Sequence, residues 1–384
     1  MLPLSLVFLT VGLSTAVVEP FRSLFLTTAV HAGPIQLTVF LIVAPLAGVI
    51  VSTLVGRLSD RRAIRRGLLV VTSAAGVIGM GLTAFVRDYW VLLALTATAM
   101  ALAVAVFPQS LAYARIALSK DGANPALGIS TLRTIFSVAW VAAPPLAAVL
   151  LEVGGFAYLF AAAAAMYAAT GFVAIVSLTK VDSAPPPPPV SDAGPPPAGV
   201  SRATLLLTAA AFTMLNCPLT LCIQALPLYI STDLNGDATH AGLILGLCAA
   251  LEIPLMLGLG LLATRIRVRA LVLAGTCCGI AYFTLAAAAQ TIWTLAAAQL
   301  LNATFIAAVA GLGISYTQDM LPEQPGRATT LFTNTFPIGA ILAGPLFGVA
   351  QHFGYRSAFV MAAGLCTIGL LLLLRVRTAT LAPA

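Results

Sequence analysis

Gly56-Arg57-Leu58-Ser59-Asp60-Arg61 in the first half of the chain is answered by Gly260-Leu261-Leu262-Ala263-Thr264-Arg265 in the second. A second pair of stretches keeps the same order and spacing. Arg133-Thr134 is followed by Ala143-Pro144, and Asn334-Thr335 by Gly344-Pro345. Between the copies runs a segment of prolines, Pro185 to Pro189. Two like-oriented membrane halves joined by a polar linker form a transporter architecture whose ligand site lies at the seam between repeats. The expected fold is an all-α membrane protein with two pseudo-symmetric six-helix bundles, residues 1–180 and 202–384, joined by a Pro-rich linker over 181–201.

The composition agrees with a membrane setting. Hydrophobic residues make up 60% of the chain and charged residues 8%; the mean hydropathy is +1.04. A soluble domain carries about 25% charged residues. Apolar stretches long enough to cross a bilayer recur at 4–28, 35–55, 67–86, 90–115, 125–151, 156–178, 203–230, 240–263, 270–289, 291–317, 327–350 and 355–374. That makes twelve spans, and they must be helical because lipid offers no partner to open backbone groups. The first is not read as a secretory leader, since no basic segment precedes it and Glu19-Pro20 lies too deep for a cleavage site.

A net charge of +7 could suggest nucleic acid, but the positions of the charges give another reason for it. Of the 19 Lys and Arg, only Arg22, Arg87 and Arg356 fall in one set of connections, and Arg133 lies within a span. The rest fall in alternate connections, at Arg57–Arg66, Arg115, Lys120, Lys180, Arg202, Arg265–Arg269, Arg327, Arg375 and Arg377. By the positive-inside rule that set is cytoplasmic, together with both termini and the linker. The linker is rich in Pro, Ala and Gly and is expected to be a mobile, partly polyproline tether.

The six cysteines sit inside apolar spans without metal-ligand spacing and read as small packing residues. No metal site is expected. His31, His240 and His352 fall at span ends, and no Gly-rich phosphate loop with a following Lys is present, so no ATP or other cofactor is expected. Nor is there a nucleophile–base constellation of the kind an enzyme needs.

Ionisable groups inside a membrane cost about 2.5–3.5 kcal/mol on insertion scales and are functional candidates by default. Glu252 lies near the middle of its span, Arg133 about a third of the way up its own, and Glu19 in the outer half of the first. Arg133 and Glu252 stand about 8 and 12 residues from their cytoplasmic helix ends, a difference of about 6 Å that an Arg side chain can bridge. They are read either as a static ion pair or as a pair that breaks when Glu252 takes a proton. Glu19 has two readings as well: an i,i+3 pair with Arg22, or a site at the kink made by Pro20.

Gln109, Tyr113, Trp140, Asn216, Gln224, Gln299, Asn302 and Asn334 fall within spans. Each could be a helix–helix hydrogen bond. Together, amides and aromatic rings suit a neutral, hydroxyl-rich solute, and these are the candidate binding residues. Gly56, Asp60, Arg61 and Arg65 are the candidate conformational gate: the glycine permits close helix approach, and an Asp beside an Arg cluster can lock one state.

At this point the residues resemble the major facilitator superfamily. Gly56-x-Leu58-x-Asp60-Arg61 is similar to its loop 2–3 motif, with Ala63 where a second glycine is usual and the basic pair displaced to Arg65-Arg66. More specifically, the chain resembles the bacterial sugar efflux transporter family. The resemblance rests on Leu132-Arg133 through Trp140-Val141, Pro144-Pro145-Leu146-Ala147, Leu251-Glu252-Ile253-Pro254, Asn302-Ala303 through Pro322, and Ala328 through Asn334. It implies proton-driven export of a sugar or glucoside across the bacterial inner membrane. Glu252, Arg133 and Glu19 would then be the coupling candidates, and the chain is expected to act as a lipid-embedded monomer. The alternatives are multidrug or amino-acid efflux on the same fold, and a non-transporting membrane sensor.

Overall fold

Backbone groups in hydrocarbon must be paired within the chain, and helices do this locally. The computed structural model describes residues 2–61, 64–120, 125–178 and 201–376, and no strand occurs among them. In chain order the helices are α1 (Leu2–Val18), α2 (Arg22–Thr28), α3 (Pro34–Arg61), α4 (Arg65–Phe85), α5 (Tyr89–Leu95), α6 (Ala101–Val104), α7 (Val106–Lys120) and α8 (Pro125–Val176). After the linker come α9 (Arg202–Asp233), α10 (Ala238–Leu262), α11 (Val268–Ala288), α12 (Ile292–Ile306), α13 (Leu312–Met320), α14 (Pro325–Thr333), α15 (Thr335–Phe353) and α16 (Arg356–Arg375).

Among the described residues, 11 helical stretches are long and apolar enough to cross a membrane. The expectation was twelve, and one of the 11 accounts for the difference. Thr131–Val176 is 46 residues long, and Gly155 breaks it with φ 63° and ψ −159°, a conformation that residues with a Cβ avoid. The two arms correspond to the expected spans 125–151 and 156–178. Elsewhere the boundaries follow local chemistry. Asp88, Ser201 and Thr291 cap α5, α9 and α12 by accepting from the amides of Val91, Thr204 and Thr294, which satisfies donors that have no intrahelical partner.

The chain divides into two compact units. The first comprises Met1–Pro189 with Gly236–Ala249, the second Val190–Asn235 with Ala250–Ala384. Helix α10 therefore begins in one unit and ends in the other.

Each unit repeats the other's construction. In the first, α8 packs along α1 and α4; in the second, α16 packs along α9 and α11. Arg66, at the start of α4, donates to the carbonyls of Ala174 (3.0 Å) and Ile175 at the end of α8. Arg269, at the start of α11, donates to those of Leu373 and Leu374 at the end of α16, at 3.2 and 3.3 Å. In both units a cation thus closes carbonyls left open by a helix C-terminus. A π-helical turn also recurs, Thr96–Met100 between α5 and α6 and Ala307–Gly311 between α12 and α13. Each lies against a glycine of the preceding span: a Cβ on Gly79 would meet Met100, and one on Gly275 would meet Ala308.

Association of helices in lipid relies on close packing because no hydrophobic force separates helix from tail. A Cβ on Gly242 would lie 2.5 Å from the Pro144 carbonyl oxygen, and one on Gly246 2.9 Å from that of Val141, so the first half of α10 lies directly on α8. A Cβ on Gly339 would lie 2.9 Å from the backbone nitrogen of Cys217, so α15 rests on α9 backbone to backbone. Gly56 and Gly260 differ. A Cβ on either would meet no described atom within 4 Å.

Gly339→Ala should lower stability by about 1–3 kcal/mol, the range for overpacking against atoms that cannot move. Gly364→Ala, with nothing within 4 Å of its Cβ, should be neutral or stabilising. Thermal melting of the purified variants checks both; equal melting temperatures would show that the α9–α15 contact is looser than described.

Candidate functional site

The candidate residues fall in three groups that the structure distinguishes by how their polar atoms are used. Glu19 lies in a 3₁₀ turn, Glu19–Phe21, between α1 and α2. The Arg22 guanidinium grips it with both nitrogens, at 2.5 Å to Oε2 and 3.4 Å to Oε1. Of its two readings, the local ion pair is the one realised. The turn follows from Pro20, which removes one amide from the ladder.

Gln299 is also committed. It is 1% exposed; its Nε2 donates to the Tyr282 hydroxyl and to the Leu295 carbonyl, both at 3.2 Å. Its Oε1 accepts from Asn302 Nδ2 at 3.0 Å. The i,i+3 spacing of Gln299 and Asn302 puts them on one face of α12, and Tyr282 joins that face to α11. This network holds two helices together.

Other polar groups stay open. Gln109 on α7 is 3% exposed, and its Oε1 has no partner. Asn216 on α9 is 2% exposed; its Nδ2 donates to Thr335 Oγ1 at 2.8 Å, while its Oδ1 has no partner. Thr335 in turn donates to the Phe332 carbonyl at 2.6 Å. Asn334 stands exposed at the break between α14 and α15. Buried amide oxygens without partners are rare and need explanation. These two accept hydrogen bonds and would be satisfied by hydroxyl donors.

Tyr113 and Gln224 are buried on α7 and α9; Trp140 is half-buried and Arg133 exposed, both on α8. Glu252 is half-buried on α10, just past the Ala249–Ala250 changeover between units. Within its own unit it has no ion-pair partner among the described residues. In the gate motif, Arg65 donates to the Ala112 carbonyl on α7 at 3.4 Å. The side chains of Asp60 and Arg61 lie outside the described residues.

Sequence reasoning missed Thr335 and the two π-helical turns. Thr335 was within reach of inspection, since it belongs to the Asn334-Thr335 pair that answers Arg133-Thr134.

Repeated helical units, apolar spans and a few buried polar groups define a membrane transporter. The Major Facilitator Superfamily pattern matches residues 4–225 and again 206–384. A Deinococcus radiodurans protein, whose name offers sugar efflux as a provisional role, is 36% identical over 368 residues, covering 95% of this chain and 94% of that one. Sugar efflux transporter A of Dickeya chrysanthemi is 34% identical over 380 residues, with 97% and 94% covered. Its namesake in Escherichia coli is 31% identical over 373 residues, with 97% and 95% covered. Among solved structures, a variant of the nucleoside transporter NupG superposes with a TM-score of 0.82 at 13% identity, covering 98% of this chain and 99% of that one. A D-xylose–proton symporter gives 0.76 at 13% identity, with 99% and 98% covered. The chain belongs to the major facilitator superfamily and, within it, to the sugar efflux transporter family.

The contrast between committed and open amides is testable by stability alone. Gln299→Leu should destabilise by about 0.6–2 kcal/mol, the range for hydrogen bonds between membrane helices. Gln109→Leu removes an acceptor that is already unpaired and should leave the melting temperature unchanged or raised. The reverse order would overturn the assignment of the two glutamines.

Proposed function

We propose that this chain exports a sugar or glucoside across the bacterial inner membrane in exchange for protons, working by alternating access. The observation that carries the reading is identity of 31–36% along nearly the whole chain to proteins named for sugar efflux. The chemistry of the open groups supports it. Gln109 and Asn216 hold acceptor oxygens without partners, and hydroxyls are the donors that complete them. Asn334 and Trp140 add an exposed amide and a ring, the latter suited to the C–H face of a pyranose.

Coupling falls to Glu252. Glu19 is paired with Arg22, whereas Glu252 stands within an apolar helix and has no ion-pair partner among the described residues of its own unit. Burying a charge in an apolar span is costly, and a carboxylate so placed is a candidate for binding a proton. In this mechanism a proton from outside neutralises Glu252 and the sugar leaves. The proton then departs inward and the next sugar binds. No cofactor takes part; the proton gradient is the energy source. The chain would act as a monomer in the lipid, with both termini and the 181–201 linker on the cytoplasmic side. That orientation rests on the alternation of Arg and Lys between connections.

Glu252→Gln, a fixed mimic of the protonated form, should abolish accumulation of labelled sugar driven by a pH gradient in everted vesicles. Exchange of labelled for unlabelled sugar at equal pH should weaken as well, because the protonated form is the one that releases sugar. Accumulation that persists in the variant would remove Glu252 from coupling.

A further inference from the structure

The second unit contains a cavity of about 150 Å³ lined by Arg202, Leu205, Leu206, Leu321, Arg327 and Leu331. It belongs to neither the amide groups nor Glu252. Its chemistry divides sharply between two arginines and four leucines. Arg202 opens α9 and Arg327 lies in the first turn of α14. Two guanidinium groups and two helix N-termini therefore share one place, and each of the four favours an anion. Arg327 Nη1 also donates to Gln324 Oε1 at 3.0 Å, which holds its side chain in place.

The leucines say where the anion comes from. Leu205 and Leu321 are buried, at 5% and 0% exposure, and form the floor. Leu206 is 61% exposed on a membrane-spanning helix, so the cavity has a wall that continues onto the surface facing the acyl chains. The volume is well below the 300–1,000 Å³ of a pocket that encloses a whole organic ligand. It suits a charged headgroup whose tails remain outside. Arg202 and Arg327 both belong to the basic set of connections, at the membrane face where anionic lipid attracts cations.

We propose that this cavity binds the phosphate of an anionic glycerophospholipid, held by Arg202 and Arg327 with the first methylenes against Leu206 and Leu331. The cavity shares no lining residue with the candidate binding and coupling groups.

The test uses the full chain purified in a non-ionic detergent, with bound lipid counted by native mass spectrometry during titration. Phosphatidylglycerol should bind about thirtyfold tighter than phosphatidylcholine, and Arg202→Gln with Arg327→Gln should remove that preference. The Lys–Lys double variant should keep most of it. Because Arg202 is exposed, Arg202→Gln alone should fold and lose about half of the logarithm of the preference. Millimolar inorganic phosphate should not displace the lipid. Full preference in folded Gln variants, or equal binding of the two lipids, would overturn the proposal. Displacement by inorganic phosphate would replace the lipid with a soluble phosphate compound and overturn the assignment of the source.

Discussion

Every feature of this molecule answers one constraint: a backbone polar group in hydrocarbon has no partner except the chain itself. The described spans are helical for that reason, and the exceptions occur where another group takes over. Arg66 and Arg269 cover the last carbonyls of α8 and α16. Asp88, Ser201 and Thr291 cover the first amides of α5, α9 and α12. Two of the four positive charges outside the expected cytoplasmic set do similar work. Arg356 donates to the Ala289 carbonyl at 2.9 Å, and Arg87 to those of Thr83 and Ala84. Much of the sparse charge in the chain is thus spent on helix ends.

The same constraint explains why satisfied and unsatisfied amides mean different things. In water an unpaired Gln finds a solvent partner; inside a helical membrane protein it carries a desolvation cost. Gln299 avoids that cost through Tyr282, Leu295 and Asn302. Gln109 and Asn216 leave a buried oxygen without a partner. Glu252 follows the same logic with a full charge, on the helix that passes from one compact unit into the other. Charge on such a group is expensive unless a partner arrives, and that makes it suited to exchanging a proton.

Much of this was legible in the sequence because hydropathy reports burial in lipid directly. The span boundaries were read within a few residues, and the double appearance of the Gly-x-x-x-x-Arg stretch exposed the repeat. The Glu19–Arg22 pair was visible from i,i+3 spacing, whereas the bond between Gln299 and Asn302 was not, since the sequence offers the two only as separate binding candidates. Other features leave no trace in composition. Thr96–Met100 and Ala307–Gly311 contain no proline and no charge, so nothing local distinguishes a π-helical turn from the α-helix around it. Packing against Gly79 and Gly275 is a tertiary fact. The six-residue length of the repeat could not show that Arg66 and Arg269, just beyond it, do equivalent work.

The central claim is that a family member built this way moves sugars. Counterflow tests it most directly. Proteoliposomes loaded with unlabelled lactose or glucose, at equal pH on both sides, are diluted into a trace of labelled sugar. The account predicts a transient, saturable accumulation of label above that in empty liposomes, and its reduction in Gln109→Leu and Asn334→Ala without loss of folded protein. No counterflow of any sugar or glucoside, alongside clear counterflow of an amino acid or a hydrophobic cation, would contradict it.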